Sequence, residues 1–142
     1  MLFRSYLMSG LAGNARKLGK RDEALRWYQQ AFDKSEGPAT RLQWGASYLG
    51  ALVELAPQDA ARIEKTSAQL ITEAARDAGA FEGRSLRAMQ RVSTRLVSWN
   101  VSGKQTATLR RLQAKLDPLC AKVDAGQKSA CNALLKPAAG KA

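Results

Sequence analysis

Cys120 and Cys131 are the only two cysteines of the 142-residue chain, and ten residues separate them. A thiol–disulfide catalyst would more often use Cys-x-x-Cys with one sulfur at a helix N-terminus, and this spacing does not fit that. Cys120 precedes a turn at Asp124-Ala125-Gly126, and Cys131 falls on the last predicted helix. The two can therefore face each other across a helical hairpin. In an oxidising compartment they read as a structural disulfide, worth up to about 3 kcal/mol for a loop of this size. In a cytosol they read as two partly buried thiols. Lys122 and Lys128 stand close enough in sequence to lower a thiol pKa, so a redox protein using both cysteines is a third reading.

The second group with chemical potential is basic. Residues 1–82 hold 11 basic and 10 acidic residues, whereas residues 83–142 hold 12 basic and 2 acidic, so the +11 net charge sits almost wholly in the C-terminal part. Arg84, Arg87, Arg91 and Arg95 recur at i, i+3, i+7 and i+11, a narrow stripe on one helix. Lys104, Arg111 and Lys115 suggest a similar stripe on the next, joined by Lys122 if Pro118 does not break that helix. Such a surface can be a solvated face whose side-chain stems cover apolar neighbours. It can also dock an acidic partner domain, or bind nucleic acid or an anionic membrane. Nucleic-acid binders often interleave aromatics with their basic residues. Only Trp99 is near, so nucleic acid ranks below the other two readings.

Other chemistry has little support. The chain has no histidine, which removes the usual general base and the commonest metal ligand. Two cysteines would need several carboxylates to complete a zinc site. The expectation is a non-catalytic protein with no metal and no cofactor. No stretch is long enough to span a membrane. The N-terminal Met1-Leu2-Phe3-Arg4-Ser5-Tyr6-Leu7-Met8 is apolar but interrupted by Arg4, and does not read as a signal peptide. So abrupt a start is expected of a piece of a longer protein.

The elements that position these groups are helical. Alanine, leucine, arginine and lysine dominate, and runs of Val, Ile and Thr are missing. The predicted fold is all-α: six to seven helices in antiparallel hairpins over about 3–34, 39–78 and 84–135, within one domain at 1–136, followed by a flexible tail at 137–142. Leu7, Leu11, Ala15 and Leu18 form the expected apolar stripe of the first helix. The second, roughly Arg21 to Lys34, buries Ala24, Leu25, Tyr28, Ala31 and Phe32. Glu36-Gly37-Pro38 is a break. The third helix, about Ala39 to Leu55, carries Trp44, Tyr48, Leu52 and Leu55 on one face, with Gly45 admitting a close neighbour. The fourth is expected over Pro57 to Ala78 and the fifth over Arg84 to Trp99, buried through Met89, Val92, Leu96 and Trp99. Ser102 reads as the N-cap of a sixth helix starting near Lys104. Asp117-Pro118 is either a kink or the start of a separate short helix. The last helix covers about Lys128 to Leu135.

Lys17-Leu18-Gly19-Lys20-Arg21-Asp22-Glu23-Ala24, with Ala31, resembles the turn and second helix of a tetratricopeptide repeat. Leu11, Ala12 and Ala15 then occupy first-helix positions that usually hold leucine, a small residue and an aromatic. A second start fits at Trp44-Gly45 with Tyr48, and the fifth and sixth helices show no good match. Peptide-binding members of that family often hold a C-terminal carboxylate with a basic and asparagine clamp. The matching positions here are Ser9, Gly13, Arg16 and Ala46, of which only Arg16 fits.

Gly37-Pro38-Ala39-Thr40-Arg41-Leu42-Gln43-Trp44-Gly45, then Leu55-Ala56-Pro57-Gln58-Asp59 and Ala61-Arg62-Ile63, resemble the helical C-terminal region of proteobacterial thioredoxin-like proteins. Leu119-Cys120-Ala121-Lys122 and Ala130-Cys131-Asn132 look like the spaced cysteine pair of that extension. The resemblance implies a periplasmic location and an adjacent thioredoxin-fold domain. The chain itself has no such domain and no Cys-x-x-Cys, so any redox catalysis would belong to that domain. The expected function is a helical protein–protein or domain–domain contact module. Its candidate contact residues are Arg84, Arg87, Arg91, Arg95, Lys104, Arg111 and Lys115, and its expected partner is acidic.

Overall fold

The computed structural model describes residues 2–136, with side chains from residue 7 onward. The expected tail at 137–142 lies outside the described residues. Among those described, the regular structure is wholly helical: α1 (Leu2–Lys17), α2 (Arg21–Lys34), α3 (Pro38–Leu55), α4 (Ala60–Ala74), α5 (Gly83–Trp99), α6 (Thr106–Lys122) and α7 (Ala125–Ala133). The all-α expectation with six to seven helices holds. No helix among these residues is long and apolar enough to cross a membrane.

Local chemistry accounts for several helix ends. Gly19 turns the chain between α1 and α2 at φ 74°, a conformation that costs a residue with a Cβ. Asp22 and Glu23 occupy the first turn of α2 and Lys34 its last, both favourable to the helix dipole. Pro38 opens α3, where its missing N–H has no intrahelical role. Asp59 caps α4 by accepting the Arg62 backbone N–H at 3.2 Å.

Four sequence expectations need correction. In α1, Leu7 and Leu18 are 57% and 71% exposed and Leu11 is also exposed, while Ala12 and Ala15 are buried. The buried residues of α2 are Ala24, Leu25, Ala31 and Phe32. A seam rich in alanine lets the two backbones approach closely, and leucine there would hold them apart.

Helix α4 runs over Ala60–Ala74 instead of Pro57 to Ala78. The chain then passes through turns that bury Ala80 and Phe81. Gln127 of α7 fixes this segment, accepting the Phe81 N–H at 3.0 Å and donating to the Ala78 carbonyl at 2.9 Å.

Helix α6 begins at Thr106, so neither Ser102 nor Lys104 belongs to its start. The entry is organised by Asn100 instead. Its Oδ1 accepts the Gln105 N–H at 2.6 Å, and its Nδ2 donates to Thr106 Oγ1 at 3.2 Å. Helix α6 also continues through Pro118 to Lys122. The lost backbone donor is tolerated because Leu116 and Cys120, on either side, are anchored in the core.

Finally, α7 spans Ala125–Ala133, three residues earlier at its start and two at its end than the expected Lys128 to Leu135. Leu134 and Leu135 lie beyond it. Leu134 is buried, and the Leu135 N–H donates to Ser93 Oγ of α5 at 2.8 Å.

The helices stack in sequence order at first, α1 on α2, α2 on α3 and α3 on α4. Beyond that, α5 makes its close approach to α3, α6 to α4 and α7 to α6. One apolar cluster runs from Leu25 and Phe32 through α3, α4 and α5 to Leu112, Leu116 and Leu134. Gly45 sits within it. A Cβ there would collide with Leu70 of α4 and press on the Phe32 ring of α2. Three helices converge at that residue, and only glycine leaves the space.

Polar ties reinforce the stack. Arg41 of α3 forms a bidentate pair with Glu73 of α4. Arg62 of α4 donates to the Tyr48 hydroxyl at 2.9 Å and to Gln29 of α2 at 3.2 Å. Burial pushes the Tyr48 phenol above its ordinary range, against the opposing pull of Arg62.

Candidate functional site

Cys120, on the last turn of α6, and Cys131, on α7, form a disulfide with a Cα–Cα distance of 5.5 Å. Their exposures are 1% and 0%. The helical hairpin closed by the Val123–Asp124 turn brings the two together. A nine-residue helix is too short to persist alone in water. Three things hold α7 in place: the disulfide, the Gln127 bonds to the 78–81 segment, and the insertion of Leu134. Neither sulfur is presented to solvent, so the arrangement braces α7 and offers no nucleophile at the surface.

The predicted arginine stripe lies along α5. Arg84, Arg87 and Arg91 are exposed, and no ion pair among the described residues includes them. Arg84 stands in the first turn of α5, where the helix dipole favours negative charge, Arg87 in the second, and Arg91 at mid-helix. Arg95 differs. Its Nη1 lies 3.8 Å from Glu54 Oε2 of α3, and its Nε lies 3.5 Å from where a Gly50 Cβ would stand.

Glu54 also pairs with Arg16 of α1. The hydrogen bond from Arg16 holds the Glu54 carboxyl below its ordinary range, and Arg95 adds to the effect. The Arg16 guanidinium is raised in turn, by Glu54 first and then by Tyr28. One carboxylate on α3 thus sits between arginines of α1 and α5. Sequence reasoning singled out Arg16 and Arg95 but not Glu54, because nothing local in the sequence signals a bridge across three helices.

The second predicted stripe is not continuous. Lys104 is exposed in the turn before α6, and Lys115 is exposed on α6. Arg111 is exposed but engaged: its Nε and Nη2 donate to the two Glu64 oxygens of α4 at 2.8 and 2.7 Å. That pair lowers the Glu64 carboxyl and raises Arg111. Of the seven predicted contact residues, Arg95 and Arg111 bind neighbouring helices, and the other five face solvent.

Where α3 and α5 end, a depression of about 470 Å³ is lined by Val53, Pro57, Thr94, Arg95, Ser98 and Trp99. The Trp99 indole N–H donates to the Pro57 carbonyl at 2.8 Å and is half-buried as the floor. Among the described residues no group of three or more His, Cys, Asp or Glu is placed to hold a metal ion. Comparison with protein-family models, curated proteins and solved structures finds no match to this chain.

Proposed function

We propose that this chain is a non-catalytic helical interaction module, tetratricopeptide-like in its hairpins, which works beside a thioredoxin-like thiol–disulfide protein in the periplasm. The observation that carries the reading is the set Arg84, Arg87 and Arg91: three exposed guanidiniums that form no ion pair among the described residues, in line on a packed helix. Cations held on a rigid scaffold are suited to meeting a complementary acidic surface. The buried Cys120–Cys131 disulfide supports an oxidising compartment. Its burial favours a bracing role over redox turnover.

Two measurements test this. The first is the reading frame that encodes Met1 and its immediate neighbours. A thioredoxin-fold domain in the same or an adjacent frame is expected, and its absence from both would overturn the association. The second is an insulin-reduction assay on the purified chain. No turnover is expected, and turnover abolished by Cys120→Ser would replace the reading with that of a redox protein.

A further inference from the structure

We infer that the trough between α3 and α5 binds an extended acidic protein segment carrying one large apolar residue about four positions beyond its acidic residues. The inference rests on the reading of this chain as a protein-interaction module, and names its partner chemistry.

The two helices run side by side in the same direction. Arg95 lies against Gly50 and Glu54, and four residues on, Trp99 donates to the Pro57 carbonyl, so later residues of α5 meet later residues of α3. On α3, Gln43, Ser47, Gly50 and Glu54 recur at i, i+4, i+7 and i+11, and the last two lie against Arg95 of the arginine stripe. Ser47 and Gly50 keep that line low.

The trough is graded along its length. Its first part, beside Arg84, Arg87 and Arg91, carries positive charge that no ion pair among the described residues neutralises, with Arg84 in the first turn of α5. Glu82, one residue before the helix, is the acidic residue nearest in sequence. Its last part is different: Arg95 lies 3.8 Å from Glu54, which Arg16 also engages, and the depression there sets the apolar Val53, Pro57 and Trp99 beside Thr94, Arg95 and Ser98.

Spacing converts this into a motif. Arg84 and Arg91 are about 10 Å apart along the helix, and Arg91 and Trp99 about 12 Å. An extended chain advances about 3.3 Å per residue. Two carboxylates about three residues apart would lie over the arginines, and an apolar side chain about four residues further would reach the depression. Each guanidinium can bind a carboxylate through two parallel hydrogen bonds. A nucleic-acid strand fits less well, because Trp99 is the aromatic residue near the stripe and its indole N–H is already engaged by the Pro57 carbonyl.

The test uses the full chain and fluorescently labelled synthetic peptides with two glutamates three residues apart and a phenylalanine four residues beyond. The sequence is made in both chain directions. Saturable binding by one direction is expected, weakening on the order of tenfold in the Arg87→Glu/Arg91→Glu double variant. Similar weakening is expected when the peptide phenylalanine becomes serine, or when Ser98→Trp fills the depression from its exposed rim. Circular dichroism confirms that each variant remains helical.

Equal binding of the phenylalanine and serine peptides would overturn the anchored-segment inference. So would no binding of either direction, or tighter binding of a single-stranded oligodeoxynucleotide of matched length. In the second case a thioredoxin-fold neighbour in the reading frame would still leave the module reading standing. Peptide binding without such a neighbour would instead remove the thioredoxin association and keep the groove.

Discussion

Arg41 and Glu73 close a bidentate pair between α3 and α4, at 2.6 Å from Nε to Oε1 and 2.9 Å from Nη2 to Oε2. The same guanidinium donates through Nη1 to the carbonyls of Phe32 and Ser35, each at 3.1 Å, and lies 4.7 Å from the Phe32 ring centroid. One side chain thus satisfies the C-terminal carbonyls of α2 while it joins the next two helices. Replacing Arg41 by methionine takes the bidentate partner from Glu73 and the guanidinium donor from the Ser35 carbonyl, while the Phe32 carbonyl keeps the Ser35 N–H and hydroxyl. A loss of roughly 1–3 kcal/mol in urea unfolding is expected. An unchanged midpoint would show that the pair adds nothing to the stack.

The pH dependence follows from the same pair. The Arg41 hydrogen bond holds the Glu73 carboxyl below its ordinary range, against the opposing effect of burial. A carboxyl depressed in the folded state stabilises the fold above its unfolded pKa, and that contribution is lost as pH falls through the folded value. Glu54 and Glu64 are lowered as well, by Arg16 and Arg111. The melting temperature should therefore fall with acidification, from roughly pH 5 downward. The dependence should be shallower in Glu73→Gln. A steeper one would contradict the assignment.

Reduction of Cys120–Cys131 should cost up to about 3 kcal/mol. Its effect should begin at α7, since that helix depends on the bridge, on Gln127 and on Leu134 for its place. Hydrogen exchange with and without a dithiol reductant measures this. Amides of residues 125–135 are expected to lose protection before those of α3 and α4. Uniform loss across the chain would mean that α7 is not the weak element.

Gly45→Ala tests the convergence of α2, α3 and α4. The added methyl meets Leu70 and the Phe32 ring. Overpacking of this kind costs typically 1–3 kcal/mol. In an exposed helix the same change would stabilise, because alanine has the higher helix propensity. A raised melting temperature would therefore show that the three helices have room to spare.

Gln127→Leu keeps the volume of a buried side chain but leaves the Phe81 N–H and the Ala78 carbonyl without their partner. Each buried group so orphaned costs about 1–3 kcal/mol. The loss should be visible in thermal melting, and it should exceed that of the exposed Gln90→Leu substitution used as a control. Equal effects would mean that the 78–81 segment does not rely on α7.

The sequence by itself determined where helices would form, because that information is local. Periodic apolar residues, Gly19 in its turn and the Gly37-Pro38 break set α2 and α3 to within a residue. The arginine stripe was legible for the same reason: a helix repeat places Arg84, Arg87 and Arg91 in line wherever the helix lies. Only the tertiary structure decided which side of a helix was buried and which charges were used. The leucines of α1 looked like a core face, yet alanines form the seam, since the choice depends on how closely α2 approaches. Phe81 is buried in a segment with no regular period, so no pattern could reveal it. Glu54, Glu64 and Glu73 select Arg16 with Arg95, Arg111 and Arg41 across gaps that only folding closes. The arginines left over on α5 become visible as a surface only after those pairs have formed.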